Sequence, residues 1–434
     1  MLDIKLLREN KELVINNLKK RNLENLIEKV EECLELDNRW REVIKKLNNL
    51  RAEKNKKSEE FAKTKNQEIL EEVESLNKEI EELEKIEKEL KEKRDFILKN
   101  LPNIAHESVP YGKDENDNVA IRYFGTIKVE KEKAKEIENL YPVKIKKVNY
   151  KLLSHYDLMQ KYVDTERAAK TSGSRFYFLK NEVVILNFAL IRYGIDFLRA
   201  KGFTILFTPF LTRRFVEEAA THFSDFEDVI YKIENEDLYL IPTSEHSILG
   251  YHANEIIPEE ELPLKYAGVS SCFRKEAGAH GKDTKGIFRV HQFEKVEQFV
   301  YSKPEESWQI HEELIKNAEE FYQSLKLPYR IVNICSGDLG YVAAKKYDLE
   351  AWFPGQTKYR ELVSCSNCTD WQARRANIRL RRKDGKVEYL HTLNSTLVAT
   401  ERTICAIFEN FYDGEKVTIP KPLRKYTGFK YIYI

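Results

Sequence analysis

Apolar residues recur at intervals of three and four between residues 26 and 98, and this pattern limits the first quarter of the chain to one architecture. Cys33, Leu36, Trp40, Val43, Leu47 and Leu50 are spaced 3, 4, 3, 4, 3. Ile69, Val73, Leu76, Ile80 and Leu83 are spaced 4, 3, 4, 3, and the seam continues less strictly through Ile86, Leu90 and Ile97. Such spacing lays one apolar stripe along a helix, and a second helix is needed to bury it. Lys63 to Gln67 (KTKNQ) has no apolar residue and separates the seams. Two heptad helices joined by a short polar turn pack antiparallel as a hairpin. Residues 26–62 then form an arm about 55 Å long at 1.5 Å per residue. Residues 51–65, at the tip, hold Arg51, Lys54, Lys56, Lys57, Lys63 and Lys65 against Glu53, Glu59 and Glu60, a local +3. A basic tip suits nucleic acid, and the hairpin alone equally suits a dimerisation coiled coil.

At 434 residues the chain is too long for one ordinary domain. Lys+Arg 73 against Asp+Glu 72 nearly cancel, so overall charge says nothing about nucleic acid and only local patches can. Six cysteines in a large chain with no secretory leader are expected to be reduced. The start, MLDIKLLRENKELV, contains acidic residues and lacks an apolar run, unlike a signal peptide. No run of about 18 apolar residues is present, so a soluble, cytoplasmic protein is expected, with no membrane contact. Residues 1–21 read as one amphipathic helix with Ile4, Leu6, Leu7, Val14 and Leu18 on its apolar side. Pro102 ends the second arm helix, and the polar, turn-rich residues 104–119 read as a linker.

The remainder mixes helices and strands. Asn181–Lys201 is a long amphipathic helix closed by Gly202, and Phe203–Pro209 is a β-rich run. Leu238–Ile241 (LYLI) is a short strand, at whose end Thr243 and Glu245 project to one side and offer a hydroxyl and a carboxylate to an ammonium group. Residues 265–275 and 288–299 read as two strands around a Gly-rich loop, Ala277–Gly286. In the second strand Arg289, His291, Phe293, Lys295 and Glu297 share one face, a poor core but a good ligand face. Arg274 and Glu276 close the first strand in the same way. Residues 307–325 are helical, with Trp308 and Phe321 in a core, and residues 331–335 and 346–353 are strands. In Arg360–Asp370 (RELVSCSNCTD), Glu361 and Ser364 offer hard oxygens suited to Mg²⁺. Cys365 and Cys368 form a CxxC pair, but a structural zinc needs four ligands and no second CxxC or HxxxH pair is present, so no zinc is expected. Residues 389–411 run strand, turn, helix, with Arg402 on an otherwise apolar helix over Thr396–Phe408. A buried Arg demands an anionic partner. No GxGxxG or GxxxxGK[ST] points to a Rossmann or P-loop enzyme.

FRKEAG (273–278), a gap, then FRVHQFEKVE (288–297) resembles motif 2 of the class II aminoacyl-tRNA synthetases, in the form seen in seryl-tRNA synthetases. The helix, Gly-Phe and strand ending at Pro209 (about 182–209) resemble motif 1, residues 265–299 motif 2, and residues 389–411 motif 3. SCSNCTD, the heptad hairpin and the linker are similar to the same family, so the resemblance covers nearly the whole chain. It implies an α+β fold: a class II antiparallel β-sheet flanked by helices, preceded by a coiled-coil arm. It implies three parts: a tRNA-binding helical domain over 1–103, a linker over 104–119 and a catalytic domain over 120–434. The activity implied is ATP-dependent serine–tRNA ligation. L-Serine and ATP form seryl-adenylate, and the seryl group passes to the 3′ end of tRNA(Ser), with tRNA(Sec) left open.

The resemblance also implies residue roles. Arg274 holds the α-phosphate and Glu276 the adenine end. Phe293 stacks on adenine, Val290 contacts it through its backbone, and Arg402 holds the γ-phosphate. Glu361 and Ser364 carry Mg²⁺, and Lys275, Leu362 and Val363 complete the ATP set. Thr243, Ser244, Glu245, Glu297 and Thr396 hold serine. The arm, around Lys54, Lys56 and Lys57, grips tRNA, and motif 1 makes a homodimer. Two departures stand out. Residues 219–226 are AATHFSDF where the family often has a glycine-rich segment, and Asn394-Ser395-Thr396 replaces Asn-Gly-Ser. Two other classes compete. A catalytically dead scaffold should have lost Arg274, Arg402 or Glu361, and all three are present. A relative that loads a carrier protein should lack the arm.

Overall fold

The computed structural model describes residues 1–222, 229–277 and 285–434. The single helix expected over residues 1–21 is two, α1 (Ile4–Glu9) and α2 (Lys11–Lys20). Asn10 divides them. Its φ of −146° is not helical, its N–H closes α1 on the Leu6 carbonyl, and its side chain caps α2 by accepting from Leu13 N–H. The seams lie on α3 (Ile27–Thr64) and α4 (Gln67–Asn100), and the turn contracts to Lys65, in the left-handed region at φ 55°, and Asn66, the N-cap of α4.

One seam position differs from the apolar reading. After Leu83 the 4-3 rhythm runs strictly through Glu87, Leu90, Arg94 and Ile97, while Ile86 is 44% exposed. The polar seam residues are satisfied. Glu87 accepts from Trp40 Nε1 at 2.7 Å, and the Arg94 guanidinium lies 4.6 Å from the Trp40 ring. Arg94 also donates to Asp37 at 3.0 Å, and Arg8 of α1 donates to both Asp37 oxygens at 2.7 Å. Asp37 is fully buried, so a charged trio locks α1, α3 and α4 together where periodicity suggested only apolar contact.

The chain divides into two compact units, Met1–Ile104 and Ala105–Ile434. In the second, the stretch read as a linker is hydrogen-bonded to residues 333–344. His106 N–H donates to Ala344 O, Ser336 N–H to Pro110 O and Cys335 N–H to Asn118 Oδ1, at 2.8–2.9 Å. The frame is an eight-stranded sheet: β1 (Val119–Phe124), β2 (Thr204–Phe207), β3 (Leu264–Phe273), β4 (Gln292–Ser302), β5 (Tyr329–Asn333), β6 (Lys345–Phe353), β7 (Lys358–Asn367) and β8 (His391–Ala399). Their spatial order is β1-β5-β6-β7-β8-β4-β3-β2, antiparallel throughout except for β2 beside β3. The helices used below are α5 (Glu182–Ala200), α6 (Arg214–Ala220), α7 (Ser244–Tyr251), α8 (Ser307–Leu325), α9 (Trp371–Ala376) and α10 (Thr400–Phe411). Leu186 and Leu190 of α5, Leu314 and Phe321 of α8, and Ile404 and Phe408 of α10 form the main core with Val296, Leu349, Val363 and Leu397 of the sheet. Trp308, expected in that core, is only partly buried and packs 4.2 Å from the His106 ring.

Two boundaries move. Strand β4 begins at Gln292, so Arg289 and His291 precede it. Strand β8 runs to Ala399 and passes directly into α10 at Thr400, so Thr396 lies on a strand and no turn intervenes. Of the expected Ala277–Gly286 loop, Gly278 and Gly281 lie outside the described residues, as do residues 223–226 of AATHFSDF. Among the described residues, no helix is long and apolar enough to cross a membrane.

Candidate active site

A cavity of about 360 Å³ opens on the sheet over β4, β8, β7 and β6. Phe293, Lys295 and Glu297 reach it from β4 by simple alternation. The neighbouring strands reach it by breaking alternation. On β7, Leu349 pairs with Val363 but Glu350 with Glu361, so Leu362 is an extra residue. Glu361 and Ser364, three apart, would face opposite ways on a regular strand, and the bulge turns both into the cavity. On β8, Val296 pairs with Val398 but Glu297 with Thr396, so Leu397 is extra, and Thr396 and Ala399 both line the cavity.

One end is small and polar. Thr243, expected at a strand end, is the N-cap of α7, and its Oγ1 accepts from Glu245 N–H at 3.2 Å. The α7 start lies directly on β3 because residue 268 is glycine: a Cβ there would sit 2.5 Å from Ser244 Oγ. Gly268 pairs with Glu297 across the ladder, which brings Thr243 and Glu245 beside that carboxylate. Lys295 is buried between them. Its Nζ donates to Thr243 Oγ1 at 2.7 Å and pairs with Glu297 Oε2 at 2.6 Å. Thr396 Oγ1 donates to Glu297 Oε2 at 3.0 Å. Burial pushes the Glu297 carboxyl above its ordinary range despite the opposing Lys295 charge. With Glu245 and Glu297 against Lys295 alone, these three groups carry one uncompensated negative charge, suited to an ammonium ligand. Behind them, His246 Nδ1 lies 2.6 Å from Glu217 Oε2; burial would lower this imidazole's pKa, but the carboxylate raises it.

The other end is cationic and aromatic. Arg274, Arg289, Lys346 and Arg402 line it with Phe288 and Phe293. Arg274 donates to Pro242 O at 3.2 Å and lies 5.1 Å from the Phe293 ring. Arg289 pairs with Glu276 at 3.3 Å. Arg402, on the first turn of α10, has the anionic partner its placement demands. Its Nη1 lies 3.2 Å from Glu361 Oε2, and its Nε donates to Phe288 O at 3.3 Å. Burial would raise the Glu361 carboxyl, but Arg402, Lys346 and Arg274 hold it below the ordinary range. Burial pushes Asp348, opposite Ser364 on β6, up to about 8. A surplus of guanidinium and ammonium groups around two rings suits a nucleotide with a polyphosphate tail.

The cavity gathers Thr243, Glu245, Arg274, Glu276, Val290, Phe293, Glu297, Glu361, Leu362, Ser364, Thr396 and Arg402. It leaves out three of the expected residues. Ser244 is buried against Gly268, Val363 points into the main core, and Lys275 ties its backbone N–H to Val229 O. His291 also leaves the ligand face: its Nδ1 lies 2.8 Å from Arg274 O and its ring packs on Phe176. Lys295 and Arg289 stood on the expected ligand face without a role, Asn394 was noted only as part of the Asn-Ser-Thr triplet, and Lys346 and the Leu339–Ala343 stretch carried no signal for the site. Cys365 and Cys368 are both buried thiols, and Asn394 Nδ2 donates to Cys368 Sγ. Among the described residues, no three His, Cys, Asp or Glu side chains are grouped to hold a metal. Glu361 and Ser364 supply one carboxylate and one hydroxyl, a donor set that fits Mg²⁺ when water and phosphate oxygens complete its shell.

Residues 1–105 match the family model described as Seryl-tRNA synthetase N-terminal domain, and residues 228–411 match that described as tRNA synthetase class II core domain (G, H, P, S and T). A Serine--tRNA ligase of Pyrococcus horikoshii is 58% identical over 446 aligned residues, spanning 100% of this chain and 97% of the relative. The crystal structure of seryl-tRNA synthetase from Pyrococcus horikoshii complexed with ATP matches with a TM-score of 0.95 at 57% identity, over 100% of this chain and 99% of that one. That of cytoplasmic Serine-tRNA ligase from Naegleria fowleri in complex with AMP matches at 0.87 and 41% identity, with the same coverage. With its heptad arm, its bulged antiparallel sheet and these full-length relatives, the chain belongs to the seryl-tRNA synthetase family.

Proposed function

We propose that this cavity joins L-serine to ATP as seryl-adenylate, releasing pyrophosphate, and then passes the seryl group to a hydroxyl of the 3′-terminal ribose of tRNA(Ser), releasing AMP. The observation that carries the reading is the polarity of one continuous cavity: a small pocket with a single excess negative charge at one end, and four cations around phenylalanine rings at the other. The serine ammonium meets Glu245, and Thr243, Glu297 and Thr396 hold the hydroxyl. Phe293 stacks on adenine, Glu276 and the Val290 backbone contact its edge, and Arg274 neutralises the α-phosphate that the serine carboxylate attacks. Arg402 holds the γ-phosphate. In adenylate formation no side chain needs to act as a base, because serine's carboxylate is already the nucleophile; positioning and charge neutralisation supply the rate. Glu361 and Ser364 are the residues that would hold Mg²⁺, which supplies further charge neutralisation on the polyphosphate.

The arm is read as the tRNA-binding element. Its seam side chains are committed to each other, so its outer face and the basic tip around Lys54, Lys56 and Lys57 remain for backbone and shape recognition of RNA. A homodimer through motif 1 fits the apolar surface there: Phe188 of α5 and Phe207 of β2 are exposed, Phe207 to 78%. A cytoplasmic location follows from the tRNA substrate. The test is ATP–pyrophosphate exchange with each of the twenty amino acids. Serine alone should drive it, with alanine slower by about 10⁴ because a site built around a hydroxyl rejects the analogue lacking one. Exchange with another amino acid at a rate near that of serine refutes the reading.

A further inference from the structure

Glu245 and Glu297 enter the same small pocket, but they are held differently. Glu297 is paired with an ammonium, Lys295. Glu245 is held by an amide: Gln372 Nε2 donates to Glu245 Oε1 at 2.7 Å, and no cation within the described residues forms an ion pair with this carboxylate. Gln372 is fully buried on the first turn of α9. The same Nε2 donates to Ala220 O at 3.0 Å, at the end of α6, and Oε1 accepts from Thr392 Oγ1 on β8 at 2.6 Å. These contacts allow one orientation of the amide. Turned over, its oxygen would face a carboxylate and a carbonyl, two acceptors with no proton between them.

We propose that Gln372 is a positioning residue for the amino-acid subsite, fixing Glu245 without neutralising it so that the carboxylate keeps its charge for a ligand ammonium. A Lys or Arg in that place would hold Glu245 equally well but would cancel the charge the ammonium needs. An amide donor gives orientation and leaves the charge intact. The contact to Ala220 O serves the same pocket, since Ala220 and Thr221 form part of its wall. Thr392 lies two residues before Asn394, another wall residue, so one side chain ties α6, α7 and β8 into a single register.

The inference rests on the serine-activation reading, and the test separates the two. ATP–pyrophosphate exchange is measured for the full chain, for Gln372→Met and for Gln372→Glu, with serine and ATP varied separately between pH 6 and 8.5. Gln372→Met keeps the side-chain volume and removes the donor. Its serine KM should rise roughly 10- to 100-fold, the worth of a hydrogen bond to a buried charged group, while the ATP KM stays within about twofold. Gln372→Glu should be least impaired at pH 6, where a protonated carboxyl can still donate to Glu245, and should worsen as pH rises and two carboxylates face each other. A purely structural role would move both KM values together and give no such pH trend. If Gln372→Met fails to fold, the pH trend of Gln372→Glu decides. If the unaltered chain exchanges with serine but the variants show neither the KM split nor the trend, the Gln372 proposal falls alone. If the unaltered chain does not exchange with serine, the functional reading itself falls.

Discussion

Lys295→Met isolates the charge balance of the amino-acid pocket. The substitution removes an ammonium 2.6 Å from Glu297 Oε2 and nearly preserves volume; the two side chains are 6% and 2% exposed. Breaking a buried pair from one side typically costs about 3–5 kcal/mol, because the remaining charge is left uncompensated. Glu297 has an escape, which is to take a proton. Keeping a carboxyl of ordinary pKa, about 4.3, protonated at pH 7 costs roughly 3.7 kcal/mol at 1.36 kcal/mol per pH unit. Burial already pushes the Glu297 pKa up, so protonation costs less than that and is the cheaper route. The variant should therefore lose about 2–4 kcal/mol at pH 7 in urea denaturation, less as pH falls towards 5. A protonated Glu297 serves serine poorly. The acid limb of serine-dependent exchange should move up by at least about one pH unit, and the serine KM at pH 7 should rise at least tenfold. An unchanged pH profile, with serine KM within twofold and a stability loss under about 1 kcal/mol, would refute the claim that Lys295 keeps Glu297 charged.

Arg274→Ala and Arg402→Ala should each slow exchange by about 10²–10³ with little change in melting midpoint, since each is read as gripping phosphate; early melting instead would mark a structural residue. Asp37→Ala removes the buried carboxylate shared by Arg8 and Arg94 but leaves Arg94 paired with Asp95 at 2.8 Å, so it should cost about 1.5–3 kcal/mol of helical stability, the worth of hydrogen bonds to a charged group, read by far-ultraviolet circular dichroism in urea. Burial would raise the Asp37 pKa, but Arg8 and Arg94 lower it overall, so the stabilisation it gives is present above about pH 4 and is lost as pH falls through its depressed pKa. Reversing Lys54, Lys56 and Lys57 to Glu should weaken tRNA(Ser) binding and flatten its salt dependence while leaving serine-dependent exchange intact; unchanged binding would turn attention from the tip to other parts of the arm.

The arm was legible from spacing alone, because a heptad pattern has few solutions. Its polar anchor was not. Glu87 and Arg94 occupy strict seam positions, but an apolar scan skips charged residues and drifts to Ile86, which faces solvent. Asp37 sits one residue past Leu36 and looks like any surface carboxylate until Arg8 and Arg94 converge on it. Asn10 interrupts the first helix for a reason a helical count weighs lightly: a side chain that caps the next helix competes with continuing the first.

The candidate site divides in the same way. Phe293, Lys295 and Glu297 share a face by ordinary strand alternation, so residue order alone suffices to group them. Glu361 with Ser364, and Thr396 with Ala399, are three apart, and alternation assigns each pair to opposite faces. Only the bulges at Leu362 and Leu397 bring each pair together, and neither leucine differs in type from its apolar neighbours. An inserted residue is visible only in the register of a strand against its partners, which is long-range information. Both insertions fall beside the cavity, on β7 and β8, and both serve its polarity. Each sends a leucine's worth of backbone into the ladder so that a carboxylate or hydroxyl can turn toward the ligand. The departures from strand period are therefore where the sheet stops being a scaffold and becomes a binding surface, and the resemblance of SCSNCTD and of residues 389–411 to a known family could point to them when periodicity could not.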